Sequence, residues 1–136
     1  MIKVIYGKKG MGKTKMLIDS ANKLASEGSG AVVFIDYSNQ LMYDLKHNIR
    51  FINVSEFPVD CSKALLGFLC GLVAGNYDID GVFIDGLTYI IKENADGLEE
   101  FFTALSEIAK KYNVKCYMSV NGDEGTAPEY LKDYLI

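Results

Sequence analysis

The chain has no tryptophan, a single arginine (Arg50), a single histidine (His47), two prolines and three cysteines in 136 residues. Each scarcity removes a class of explanation. Arginine is the side chain best suited to bidentate phosphate contacts and to fingers that stabilise a phosphoryl group in transfer, so an arginine-rich lid has no material here. The net charge of −4 and pI of about 4.9 provide no overall positive field toward phosphodiester backbones or acidic membranes. Neither nucleic acid nor membrane is an expected partner. His47 stands beside Asn48 and reads as a capping or solvated side chain, which leaves no nucleophile–histidine pair. Cys61, Cys70 and Cys116 are odd in number and lack CxxC spacing, so a disulfide framework and a zinc site are both unsupported. Buried thiols in a reducing cytoplasm are the expectation. The longest apolar stretch, Ala64 to Gly75, is well short of the ~20 residues that span a bilayer and reads as a buried helix. No charged-then-apolar leader precedes MIKVIY, so a cytoplasmic protein is expected.

What is present is an ordinary globular composition, 49% hydrophobic and 24% charged, of a size that fits one domain. There is no internal repeat, low-complexity segment or linker, and Pro58 and Pro128 both sit where helices can begin. Short apolar runs alternate with longer segments of helical period. The pattern predicts strands at Ile2–Tyr6, Ala31–Asp36, Gly81–Asp85 and Val114–Val120, with an edge strand at Phe51–Val54. It predicts helices at about Lys13–Glu27, Asn39–His47 and Asp60–Ala74, and a weak one at Pro128–Leu135. Leu98, Phe101, Phe102, Leu105, Ile108, Ala109 and Tyr112 mark one stripe of a further long helix. Apolar strands alternating with helices imply a three-layer α/β/α sandwich around a mainly parallel, five-stranded sheet. Ligands bind such sheets at the carboxyl ends of the strands. The polar residues that follow strands are therefore the candidates: Gly7 to Thr14, Asp36, Asp85 and Asn121, all on one edge.

The segment Gly7 to Thr14 reads GKKGMGKT and satisfies GxxxxGK[ST] where mechanism requires it, after a strand and opening a helix. Glycines at 7, 10 and 12 let successive N–H groups turn inward around phosphates, and the helix adds its positive N-terminal end. The expected nucleotide-binding set is Gly7, Lys8, Lys9, Gly10, Met11, Gly12, Lys13, Thr14 and Lys15. Lys13 would reach the β- and γ-phosphates and Thr14 would ligate Mg²⁺, whereas Lys8 and Lys9 face either solvent or the γ-phosphate. Asp85 closes the apolar run Val82–Ile84 as a Walker B acid does, and is the second expected magnesium-side residue. Gly86 follows it, so no adjacent glutamate is offered to activate water. ATP and Mg²⁺ are the expected ligands, and Lys13 and Asp85 the expected catalytic pair.

The succession of GKKGMGKT, AVVFIDYS, YDIDGVFIDGLTYI, a long amphipathic helix and VKCYMSVN resembles the RecA/KaiC-type core of the P-loop NTPases, over about Ile2 to Asn121. The resemblance implies an ATPase with a water-activating glutamate just after the second strand. Ser38 stands in that place. Asp36 substitutes only with a two-residue shift of register, so weak or partner-dependent hydrolysis is the expectation. Asn121 resembles a residue that senses the γ-phosphate, and equally reads as a strand-ending turn with Gly122 and Asp123. The resemblance also implies nucleotide held between subunits in some assemblies, with Arg50 the one arginine that could act in trans. Two other readings stand beside the ATPase: a small-molecule phosphotransferase, and a nucleotide-responsive module that binds a protein partner through Asn121–Ile136. The acidic loop Asn121–Ala127 lacks lysine, arginine and aromatics, which leaves DNA binding through it unsupported. Tyr37, Tyr43 and Tyr89 fall outside the core spacing, and Glu99 and Glu100 read as a solvated helix face.

Overall fold

The computed structural model describes residues 1–123 and 125–136. Five strands, β1 (Ile2–Gly7), β2 (Ala31–Asp36), β3 (Ile49–Asn53), β4 (Ile79–Ile84) and β5 (Lys115–Asn121), form one sheet in the order β1-β5-β4-β2-β3. Every neighbouring pair is parallel, where the sequence implied only a mainly parallel sheet. The helices are α1 (Lys13–Glu27), α2 (Ser62–Gly75), α3 (Leu87–Ile91) and α4 (Glu99–Lys111).

The chain crosses from β1 to β2 by α1 in one direction, and returns from β3 to β4 by α2 and from β4 to β5 by α3 and α4 in the other. Right-handed crossovers in opposite directions put their helices on opposite faces. The two packed cores agree with this. On one face Leu17, Ala21 and Ala25 of α1 meet Val32, Phe34 and Phe83. On the other, Leu65, Leu69 and Val73 of α2 and Phe102, Leu105 and Ala109 of α4 meet Val33, Ile35, Val82 and Ile84. A strand alternates its side chains between faces, so residues adjacent in β2 and β4 serve different cores. An aromatic row crosses the α1 face in register, Phe51, Phe34, Phe83 and Tyr117 lying on four neighbouring strands. Its ring centroids are 6.5, 6.3 and 5.3 Å apart. Phe34 is fully buried, and its truncation to alanine would cost about 3–5 kcal/mol.

Several expectations are corrected. Asn39–His47 is not a helix but holds one 3₁₀ turn, Met42–Asp44, because only Leu45 in that segment is buried and an isolated short helix has too little packing to form. The edge strand begins two residues earlier than expected, at Ile49, and β4 runs Ile79–Ile84 with Asp85 just beyond it. α2 is not buried all round; Leu65, Leu69 and Val73 are inside, while Lys63, Gly67 and Gly71 are exposed. Cys61 is exposed ahead of this helix, Cys70 is half-buried, and only Cys116 is inside, where burial pushes its thiol up to about 12. Helix α3 had no counterpart in the sequence reading.

The segment after β5 is not a free arm. A 3₁₀ turn at Glu129–Asp133 buries Leu131 and sets Tyr134 against Phe102, with ring centroids 5.4 Å apart. The backbone then pairs with the outer edge of β1: Val4 N–H donates to Tyr134 O at 2.8 Å and Ile136 N–H to Val4 O at 3.0 Å. Of the acidic loop Asn121–Ala127, Glu124 lies outside the described residues, and Thr126 is tied to the Tyr6 hydroxyl at 3.0 Å. Among the described residues no helix is long and apolar enough to cross a membrane.

Candidate functional site

Because all five strands are parallel, β1, β5, β4 and β2 deliver their carboxyl ends to one edge, and a cleft of about 760 Å³ opens there. Lys9, Gly10, Gly12, Lys13, Thr14, Asp36, Tyr37, Ser38, Gln40, Asp85, Gly86, Tyr89, Ser119 and Asn121 line it. Of the strand-end candidates singled out in the sequence, Asp36, Asp85, Asn121 and Lys9, Gly10, Gly12, Lys13 and Thr14 of the loop reach this one cavity, whereas Gly7, Lys8 and Met11 do not line it.

The loop between β1 and α1 supplies the first wall. Gly10 and Gly12 have φ of +91° and +83°, which a side-chain-bearing residue adopts only with strain. Gly12 opens α1 with no side-chain cap and no acidic residue follows in the first turn. The first N–H groups of a helix have no intrahelical acceptor, so a fifteen-residue helix aims an uncompensated positive end at the cleft. Lys13 is 7% exposed, and its Nζ donates to the Lys8 carbonyl at 2.6 Å. Burial pulls this ammonium's pKa down, with the Asp85 charge opposing. Among the described residues Lys13 forms no ion pair, so a buried cation is held by one neutral carbonyl.

The floor is a hydroxyl–carboxylate cluster. Thr14 Oγ1 donates to Asp85 Oδ1 at 3.1 Å and to Oδ2 at 3.0 Å. Ser119 Oγ donates to Asp85 Oδ1 at 2.8 Å and accepts the Gly86 N–H at 2.7 Å. Ser119 therefore fixes both the carboxylate and the turn that leads into α3. It was missed in the sequence, where MSV reads as strand interior. The available signal was a hydroxyl inside an otherwise apolar buried strand, which demands a partner.

The far wall belongs to β2 and α3. Asp36 ends β2, and its carboxylate accepts the Tyr37 N–H at 2.8 Å and the Ser38 hydroxyl at 3.3 Å. Burial first, then the Asp85 charge, raises its pKa against the pull of those two donors. Tyr37 and Tyr89 meet edge to face, centroids 5.3 Å apart at 85°, and Tyr89 is 66% exposed. Glu93 just beyond α3 accepts the Ser62 N–H at 2.6 Å and the Ser62 hydroxyl at 3.2 Å. It caps α2 from a distance and pins the exit of α3.

Other candidates fall elsewhere. The Lys15 side chain pairs with Asp19 at 3.0 Å on the exposed face of α1. Met11 covers Gly7 and contributes to a separate groove beside Tyr6 and Leu135. Lys9 lines the cleft, whereas Lys8 offers it nothing but the carbonyl bound by Lys13. Asn121 pairs in register with Gly7 at the rim. Tyr43 and His47 are exposed away from the cleft, and Arg50 is exposed on the edge strand β3. Glu99 and Glu100 are exposed in the first turn of α4, favourably placed toward its positive end.

No three His, Cys, Asp or Glu side chains among the described residues group closely enough to hold a metal ion by themselves. The donor set that exists, one carboxylate with one threonine hydroxyl, suits a hard cation that keeps several waters and takes its remaining ligands from a phosphate. The site defines an α/β protein with a five-stranded parallel sheet and a polar cleft at its carboxyl edge. No protein-family model matches the chain, and no curated protein matches it.

Proposed function

We propose that this protein is a P-loop nucleotide-binding domain of RecA-like type that takes a magnesium–nucleoside triphosphate, ATP being the expected one, on the loop Gly7–Thr14. The observation that carries the reading is Lys13, a buried ammonium held by a single backbone carbonyl beside the uncapped N-terminus of α1. A partly desolvated cation that feels the Asp85 charge but makes no ion pair among the described residues is costly, and a polyphosphate would supply a direct partner together with acceptors for the loop N–H groups. Lys13 would leave the Lys8 carbonyl and turn to the terminal phosphates. Thr14 and Asp85 would hold Mg²⁺, whose chemistry is to neutralise charge on the β- and γ-oxygens.

Asp85 is engaged by two hydroxyls, and Ser38 offers no base. Asp36 is the one further carboxylate lining the cleft among the described residues. Slow or partner-dependent cleavage of the terminal phosphate is the activity this set supports. Isothermal titration with ATP and Mg²⁺ tests the binding: micromolar-range heat in the wild type that weakens at least about tenfold in Lys13→Ala is expected. Absence of binding in the wild type, or unchanged affinity in Lys13→Ala, ends the proposal.

A further inference from the structure

The cleft is wider than a phosphate loop requires. It runs from β1 over β5 and β4 to β2, three strand spacings or about 14 Å. Both cations that line it, Lys9 and Lys13, belong to the β1 side. The Thr14–Asp85 cluster marks its middle. The remaining stretch, over β4 and β2, has a different chemistry: Asp36, Gln40, Tyr37 and Tyr89, with no cation among them.

We propose that this half is the seat of a second reactant, an uncharged nucleoside whose ring packs on Tyr89 and whose hydroxyl meets Asp36. It rests on the nucleotide-binding reading above and gives the terminal phosphate a nucleoside acceptor in place of water. Tyr89 shows two-thirds of its surface while Tyr37 braces it edge-on. A braced and exposed ring is a stacking platform with little rotamer freedom left to lose. Each Asp36 oxygen has one protein donor and keeps acceptor capacity for another. Gln40 carries a donor and an acceptor, the pair that matches a base edge. An acceptor bearing a phosphate or carboxylate would meet Asp36 and no positive partner, which selects the neutral ligand.

In the resulting transfer the nucleoside hydroxyl gives its proton to the Asp36 carboxylate as its oxygen bonds to the γ-phosphorus. The bond from that phosphorus to the β-phosphate oxygen breaks, and its electron pair leaves on the nucleoside diphosphate. Asp36 then releases the proton to water. One nucleoside monophosphate and one diphosphate are formed.

The test is a titration of adenosine, and separately of thymidine, into protein saturated with magnesium and a non-hydrolysable ATP analogue. Binding of at least one is expected, weakened roughly 5- to 100-fold by Tyr89→Ala and retained in Tyr89→Phe. Neither nucleoside binding, or equal binding by wild type and Tyr89→Ala, overturns the inference. A preceding titration of the wild type with the analogue alone separates the two readings. No analogue binding removes the nucleotide proposal itself, whereas analogue binding followed by no nucleoside binding removes only the acceptor. With ATP and the nucleoside that binds, phosphorus NMR should show nucleoside monophosphate appearing one for one with ADP. Inorganic phosphate in its place would also overturn the inference.

Discussion

Thr14 and Asp85, 71 positions apart in the chain, are joined by one hydroxyl that donates to both carboxylate oxygens at 3.1 and 3.0 Å. The strands that carry them to this edge are not neighbours, since β5 lies between β1 and β4. The contact depends on helix α1 starting directly beneath the glycine loop. Replacing Thr14 by valine keeps the shape and removes the oxygen. The magnesium-dependent gain in ATP affinity should fall about tenfold or more, while Thr14→Ser should retain it. Titrations with and without Mg²⁺ decide; a valine variant with an undiminished magnesium effect would show that the hydroxyl is not a ligand.

Ser119→Ala should be felt twice. The half-buried Gly86 N–H loses its acceptor and Asp85 loses a donor, a cost of about 1 kcal/mol, to be read from urea denaturation. Asp85 would also be less firmly aimed, and ATP affinity should drop with it. A variant as stable as the wild type would mean that the turn before α3 is held by something other than Ser119.

Asp36 predicts a pH dependence opposite to that of most carboxylates. Its folded pKa is raised above the ordinary 3.8, so from about pH 3.8 upward the folded state binds more protons here than the unfolded one. Stability contributed by this group therefore falls as pH rises through that window and is fully present below it. Asp36→Asn removes the penalty. Denaturation midpoints should favour the variant at pH 7, and its advantage should shrink as pH approaches 3.8. An advantage that is independent of pH would assign the effect to packing instead of charge.

Deleting residues 134–136 should destabilise the fold by about 2–4 kcal/mol, through three lost backbone hydrogen bonds, two with Val4 and one from Tyr134 N–H to Leu131 O, and the Tyr134–Phe102 stack. It should also expose the outer edge of β1, and an unpaired strand edge templates association. Urea titration and light scattering check the two effects. A truncated chain that stays monodisperse and equally stable would show the tail to be dispensable.

The site was legible in the sequence to the extent that it is made by residues ending strands. GKKGMGKT, Asp36, Asp85 and Asn121 announce themselves because a polar residue after an apolar run has only one edge to occupy once the sheet is parallel. Helix α1 and strand β2 were bounded correctly for the same reason: long or strongly apolar segments state their period clearly. Less legible were features made by distant residues. Helix α3 is five residues long and follows Gly86 with LTYII, a run whose β-branched and aromatic residues resemble a strand. It exists because Leu87, Ile90 and Ile91 are buried against the core and Glu93 is anchored on Ser62. Ser119 was hidden because its partners, Asp85 and Gly86, lie 34 and 33 positions away. The expected helix at Asn39–His47 failed because only Leu45, with Leu41 partly, reaches the core, too little packing to hold a short helix.

The position of β5 bears on how the molecule comes to exist. It is the last of the five strands to leave a ribosome, yet it is the one that links β1 to the rest of the sheet. Until it arrives, β1 has no strand to pair with, and the glycine loop has no fixed place relative to Asp85. Nearly the whole chain must be spanned before that pairing is made, and closures of such length are slow steps in folding. A nascent chain can thus assemble β2, β3 and β4 early. Any nucleotide that rescues folding would act only once β5 is in place, as a late clamp and not as a nucleus.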